Sequence, residues 1–341
     1  MEVDSRPTEL RRVQELWFED GSLVIQAGNS QYRVYRGILA MYSPVFQDML
    51  SLPQPLDSDL VDNCPLVRLT DAEEEVTSFL KAIFHPTSFP SFPAQTRLCT
   101  ILGCLRLSHK YEVDHLRRRA LIHLSSVYRT KLSKAEVVFR NESKERLPSK
   151  TRSWKWTVQD PRSGTAILLV IQVAREVNAP WILPHAFYDL ATCYYPHCEL
   201  ARDAHIDDIA LYLSPPDQRS FAHGHCQQVI SSAANILRFL SHPLKIDGCT
   251  SLYECLSLRV LATERNRQNL QINAAMPLEL WGSDQWKWLD GLCRSCLVVL
   301  KKTHADAREA FWDSLPELYG LPSWEELEKM KADAIGDNLF C

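Results

Sequence analysis

Apolar residues change their period several times along this chain, and each change marks an element. Leu23, Val24 and Ile25 follow an Asp-Gly pair, Gly28-Asn29-Ser30 is a turn signal, and Tyr32 and Val34 then alternate with polar neighbours. Two short β runs around a Gly-Asn turn predict a hairpin. Helical spacing takes over at Ile38, Leu39 and Tyr42. Ser43-Pro44 restarts it, with serine as cap and proline at the first helical position, where its missing N–H is not needed. Val45, Phe46, Met49 and Leu50 supply the next apolar stripe. The Pro- and Asp-rich stretch 52–63 reads as a loop, and Leu66, Val67, Arg68 and Leu69 as a strand. Asp71 and Glu74 have the spacing of a capping box. Beyond them Val76, Phe79, Leu80, Ile83 and Phe84 lie on one helical face. Pro86 and the run Phe89-Pro90-Ser91-Phe92-Pro93 interrupt the pattern, and Leu98, Ile101, Leu102 and Leu105, then Leu116, Ala120 and Leu124, predict two more helices.

The rest of the chain reads as helical. Ile167, Val170, Ile171 and Ala174 share a face that ends before Pro180, and Pro184 opens a helix carrying Phe187, Leu190, Ala191 and Tyr194. Val229, Ala233, Ile236, Leu237 and Leu240 repeat the spacing, and Ser323 with Glu326 is a further capping box ahead of Leu327 and Met330. No strand alternation is visible in this half. The expected architecture is an α+β N-terminal fold, a short sheet capped by helices, followed by a mainly α-helical C-terminal region. The expected boundaries are 13–130 for the first domain, 131–165 for a charged linker or insertion, and 166–341 for the helical domain.

The opening pattern resembles a family. Asp20, Leu23-Val24-Ile25, Tyr32-Arg33-Val34-Tyr35-Arg36-Gly37-Ile38-Leu39-Ala40, Ser43-Pro44-Val45-Phe46 and Met49-Leu50 resemble the start of a BTB/POZ domain. Ser108-His109-Lys110-Tyr111 and Val113 with Leu116 resemble its closing helices. Tyr35 stands where the family carries a histidine. Arg175-Glu176-Val177-Asn178-Ala179-Pro180-Trp181, with Leu183-Pro184 and Ala186-Phe187-Tyr188-Asp189-Leu190, resembles the back half of BTB proteins numerous in mushroom-type fungi.

The resemblance implies a non-enzymatic protein-interaction module that homodimerises through its first domain and presents a helical C-terminal region to a protein partner. In that family an N-terminal strand and the first helix pack across a two-fold axis, which nominates Leu16, Trp17, Phe18, Asp20, Arg36, Ile38, Leu39 and Tyr42 as interface residues. Leu16, Trp17 and Phe18 form a dense apolar start that calls for a cover. Asp20 and Arg36 match an acidic and a basic residue of a charged pocket at the family's dimer interface, with an ordinary surface pair as the alternative. A narrower reading is a substrate adaptor on a cullin scaffold. Such adaptors tend to carry an apolar-x-Glu signature, and the loop 52–65 has no glutamate.

Composition narrows the chemistry. Lys and Arg number 38 against 42 Asp and Glu, a net charge of −4, which gives no electrostatic case for nucleic acid or an acidic membrane. The longest apolar run, 166–171, is far short of a membrane span. The opening Met-Glu-Val-Asp-Ser-Arg lacks the pattern of a secretory leader, and the 11 cysteines are an odd number, so reduced thiols in the cytoplasm or nucleus are expected. Without that leader the sequon at Asn141-Glu142-Ser143 carries no weight. The basic segment 131–155 spreads its charges as a solvated stretch does, ending in Trp154 and Trp156, which are expected to dock on a core. No phosphate loop, nucleophile elbow or His-Glu-x-x-His motif occurs.

Cysteines raise the remaining question. Cys293-Arg294-Ser295-Cys296 is a single CxxC, and tetrahedral zinc needs four ligands, for which Cys249 and Cys255 are available. Against this, Leu289, Cys293, Cys296, Leu297 and Leu300 have the spacing of one apolar helical stripe, on which cysteine acts as a small hydrophobe. The stripe predicts core thiols with no metal and no cofactor; a zinc-stabilised domain or enzyme is the alternative. His223, His225 and Cys226, and Cys193, His197 and Cys198, lack partners at ligand spacing.

Overall fold

The computed structural model describes residues 10–52, 59–136, 164–192, 204–206 and 209–336. The expected linker therefore lies mostly outside the described residues, together with Asn141, Trp154, Trp156, Cys193, Tyr194, His197 and Cys198.

The chain is α+β, with its main sheet at the N-terminal end and helices behind it. The sheet contains β1 (Arg11–Trp17), β2 (Leu23–Ala27), β3 (Ser30–Val34), β4 (Leu60–Val61) and β5 (Cys64–Leu69), in the order β1-β3-β2-β5-β4. The predicted hairpin is β2–β3, antiparallel, turning at Gly28, whose φ of +52° is one glycine reaches without strain. β5 joins β2 in parallel, and β1 joins β3 in parallel. The expected loop 52–63 contains a strand after all, because β4 folds back on β5 over two residues.

Helices α1 (Arg36–Tyr42) and α2 (Pro44–Ser51) follow the hairpin. Ser43 caps α2, its Oγ accepting from the Phe46 N–H at 3.1 Å, while its hydroxyl donates to the Tyr111 carbonyl. Helix α3 (Glu73–Phe84) buries Val76, Phe79, Leu80 and Ile83. Its expected capping box is not used. The residue before it is Ala72, and Asp71 instead accepts from Lys110 Nζ and Tyr111 Oη, both at 2.6 Å. That choice ties the sheet end of α3 to the end of α4 (Leu98–Lys110), which α5 (Asp114–Ser125) follows.

The C-terminal region begins with α6 (Gly164–Glu176) and α7 (Leu183–Thr192), then a hairpin of β6 (Ala204–Ile206) and β7 (Ile209–Leu211). That hairpin escaped the sequence reading because three-residue strands are too short to show alternation. Next come α8 (Pro215–Gln227), a π-helical stretch at Gln228–Ser232, the short α9 (Ala233–Leu237), and α10 (Leu252–Asn273). The chain closes with α11 (Ser283–Trp286), α12 (Arg294–Leu318) and α13 (Trp324–Ile335), whose capping box at Ser323 and Glu326 forms as predicted.

One apolar core runs from Leu16 in the sheet to Ile335 in the last helix, through α3–α8 and α12. A second and smaller core stands apart from it. It consists of Phe239, Leu240, Ile246, Cys255, Ala262, Trp281, Leu289, Cys296 and Leu300. Both structural questions left by the sequence fall on these two cores.

Candidate functional site

The nominated interface residues divide by burial. Leu16 and Leu39 are fully buried in the main core. Trp17, Phe18 and Ile38 are half-buried, and Asp20, Arg36 and Tyr42 are exposed. Phe18 packs its ring against Tyr35 at 5.0 Å, Phe84 at 5.6 Å and His85 at 6.0 Å, and the Arg12 guanidinium lies 4.3 Å above Trp17. The apolar start at Leu16, Trp17 and Phe18 is thus covered by its own chain, and a partner is not needed to explain it. Asp20 and Arg36 are not brought together as a pair. Asp20 Oδ1 accepts from Tyr35 Oη at 2.6 Å, and Arg36 Nη2 donates to the Leu50 carbonyl at 2.9 Å.

Apolar surface does remain on two helices. Helix α1 has Arg36 as its only charge, and it leaves Met41 and Tyr42 exposed next to Ile38 on the same turn. On α10 the usual polarity is reversed. Its buried face holds Cys255, Arg259, Ala262 and Asn266, while Tyr253, Val260 and Leu261 point to solvent, Tyr253 with 84% of its surface exposed. The outer edge of β1 is different again. Arg11, Arg12 and Glu15 stand exposed along it, the placement of charge that discourages strand-to-strand pairing.

The structure corrects the reading of the cysteine stripe. Leu289 ends a separate 3-10 turn, Lys287–Leu289, and α12 begins only at Arg294, with Cys293 as its cap residue. The five positions are therefore not one helical face. Cys293 and Cys296 instead bracket the N-terminus of α12. Cys255 lies in the first turns of α10, and Cys249 follows Gly248 in the loop before it. The four sulfurs of Cys249, Cys255, Cys293 and Cys296 all lie within 4.8 Å of one another.

Two glycines shape the loops that deliver these thiols. Gly248 has φ +76° and Gly291 has φ +111°, values that an L side chain rarely adopts. Backbone donors then converge on sulfur. The Cys293 N–H points to Cys255 Sγ at 3.5 Å, and the N–H groups of Cys296 and Thr250 reach the Cys293 sulfur and pull its pKa down to about 6. Burial pushes the Cys255 and Cys296 thiols up. Cys249 and Cys293 sulfurs are 3.9 Å apart, well beyond the ~2.05 Å of a disulfide.

Arg259, one turn along α10 from Cys255, is 2% exposed. Its Nε and Nη2 donate to the carbonyls of Leu240 and Phe239 at 2.9 and 3.2 Å. Among the described residues no carboxylate pairs with it; burial pushes its pKa down, and the nearby Cys296 and Cys255 sulfurs offset part of that.

No other group of three or more metal-binding side chains is found among the described residues. His223 and Cys226 are exposed on α8, and His225 stacks on Phe221 at 5.7 Å. Gly224 packs so closely on Tyr319 that an added Cβ would lie 2.4 Å from its ring. That stretch serves packing. No described helix is long and apolar enough to cross a membrane. In comparisons with known proteins, no family model, no curated protein and no solved structure matches this chain.

Proposed function

We propose that this chain is a non-enzymatic protein-interaction module, that it pairs with a second copy through the outward face of α1, and that it presents α10 to a protein partner. The observation that carries the reading is the placement of large apolar side chains in solvent on helices that have a buried face to spare. Val260, Leu261 and Tyr253 could have been polar at no cost to the core beneath α10, which is made by Cys255, Arg259, Ala262 and Asn266. Exposed apolar side chains grouped on one element, as Val260 and Leu261 are here, are a mark of interaction sites.

The resemblance of the N-terminal residues to BTB/POZ domains supports self-association as the role of α1. Met41 and Tyr42 sit one turn past Ile38, on a helix whose other face, at Leu39, is already committed to the core. A two-fold axis through that face would set Met41 of each copy near the other. Pairing then doubles the number of α10 surfaces and raises their effective concentration for a partner that also repeats.

Light scattering on the full chain at micromolar concentration tests this. A dimer is expected for the native protein, a monomer for Met41→Glu with Tyr42→Glu, and an undisturbed dimer for Val260→Glu with Leu261→Glu. A native monomer sinks the proposal, and so does a dimer that survives the α1 substitutions.

A further inference from the structure

We propose that Cys249, Cys255, Cys293 and Cys296 bind one structural zinc ion as a tetrahedral tetrathiolate that holds the second core together. The geometry fits the metal. Zinc–sulfur bonds of ~2.3 Å put the ligand sulfurs ~3.8 Å apart in a tetrahedron. Here all six separations are 4.8 Å or less, and the one between Cys249 and Cys293 is 3.9 Å. Drawing the cluster onto an ion needs movements of less than ~1 Å at the longest edges. Sequence order argues the same way. The thiols come from the loop before α10, the start of α10, and the cap and first turn of α12, segments far apart in sequence that meet at one point.

The surroundings are built for negative sulfur. Neither α10 nor α12 has a side-chain cap, and the backbone N–H groups of Cys296 and Thr250 reach the Cys293 sulfur at the start of α12. The Cys293 N–H already points at the Cys255 sulfur. Arg259 supplies the independent observation. A buried guanidinium with no carboxylate partner is costly; this one is held by the Leu240 and Phe239 carbonyls, one turn along α10 from Cys255. Four thiolates around a divalent ion carry a net charge of about −2, and a single buried cation next to them lowers the cost of both. Neutral thiols would leave Arg259 without a counter-charge.

The second core is the part such an ion would staple. It contains nine buried residues, two of which are Cys255 and Cys296 themselves. The other two cysteines, Cys249 and Cys293, pack against it, so an ion at the four sulfurs would tie its parts together. Four sulfurs complete the tetrahedron and leave no open position for a water or substrate, so the ion's role is structural and not catalytic. On binding, each thiol gives up its proton to solvent, and zinc undergoes no redox change.

Elemental analysis of the full chain, purified under reducing conditions without chelator, should find about one zinc per chain. Cys255→Ser and Cys296→Ser should lose it, while Cys99→Ser and Cys226→Ser, at exposed thiols outside the cluster, should keep it. Because a ligand variant can fail to fold, the native protein provides a second reading. Exchange with cobalt should give the intense visible bands and sulfur-to-metal charge transfer of tetrahedral thiolate coordination, and a strong chelator should lower the melting temperature. Metal-free native protein, iron in place of zinc, or zinc retained by both Cys255→Ser and Cys296→Ser overturns the proposal.

Discussion

Acid should unfold this protein through His304 before its carboxylates do most of their work. The ring sits in the second core, 6% exposed, at 5.0 Å from the Phe239 ring and 5.6 Å from Trp286. Its Nε2 has no hydrogen-bond partner. Burial, helped by the Arg308 charge one turn away, holds its pKa down to about 4 from an ordinary 6.5. Between those values the unfolded chain takes up a proton that the folded chain refuses. Stability is therefore fully present above pH ~6.5 and falls as pH drops towards 4. At pH ~4.5 the linkage relation gives a loss of about 2.5 kcal/mol from this one group. His304→Phe replaces a ring whose Nε2 bonds to nothing, so it should cost little at neutral pH and should remove the acid term. The assay is urea unfolding followed by tryptophan fluorescence at pH ~7 and ~4.5, for the native chain and the variant. Carboxylate and thiol titrations are common to both proteins and cancel in the comparison. Equal acid losses in the two would refute the argument, because the ring would then be reachable by protons without opening the core.

Two further substitutions test the main core. Gly224→Ala places a methyl 2.4 Å from the Tyr319 ring, which is fully buried, stacked on Phe187 and hydrogen-bonded to Gln228; overpacking of ~1–3 kcal/mol should outweigh the ~1 kcal/mol of helix propensity that alanine gains, and an unchanged melting temperature would contradict the packing. Ser43→Ala removes the α2 cap and strands the Tyr111 carbonyl, both buried, so chemical denaturation should show a loss of ~1–3 kcal/mol.

How much of this was readable in the sequence varies with the kind of face each element buries. Helices α3, α4 and α6 follow the simple rule: Val76, Phe79, Leu80 and Ile83 are apolar, evenly spaced and buried, so period alone found them. Helix α10 defeats the rule. It is 22 residues long, but its inward positions include Arg259 and Asn266, and its leucines and valine are partly outside. No apolar stripe exists to be read. The Asp71–Glu74 spacing misled for another reason. Tyr111 and Lys110, some 40 residues away, compete for the same carboxylate and win it, and local spacing carries no information about such a competitor.

The cysteines show the same limit from the other side. Their residue types and the CxxC spacing were visible, and so was the chance that Cys249 and Cys255 would complete a set. What the sequence could not supply was the break before Arg294. With Leu289, Cys293 and Cys296 on one continuous helix, the thiols face a common apolar wall. Asp290 with extended backbone and Gly291 in the left-handed region end the preceding turn first, and the chain then re-enters α12 with Cys293 at its cap. That break changes the thiols from side chains on a stripe into groups at a helix N-terminus, where N–H donors favour anionic sulfur. Arg259 was equally hidden: its guanidinium is buried where the Leu240 and Phe239 carbonyls receive it, and local spacing shows neither. The left-handed turn at Gly291, more than the CxxC spacing, thus connects the sequence to the chemistry of this core.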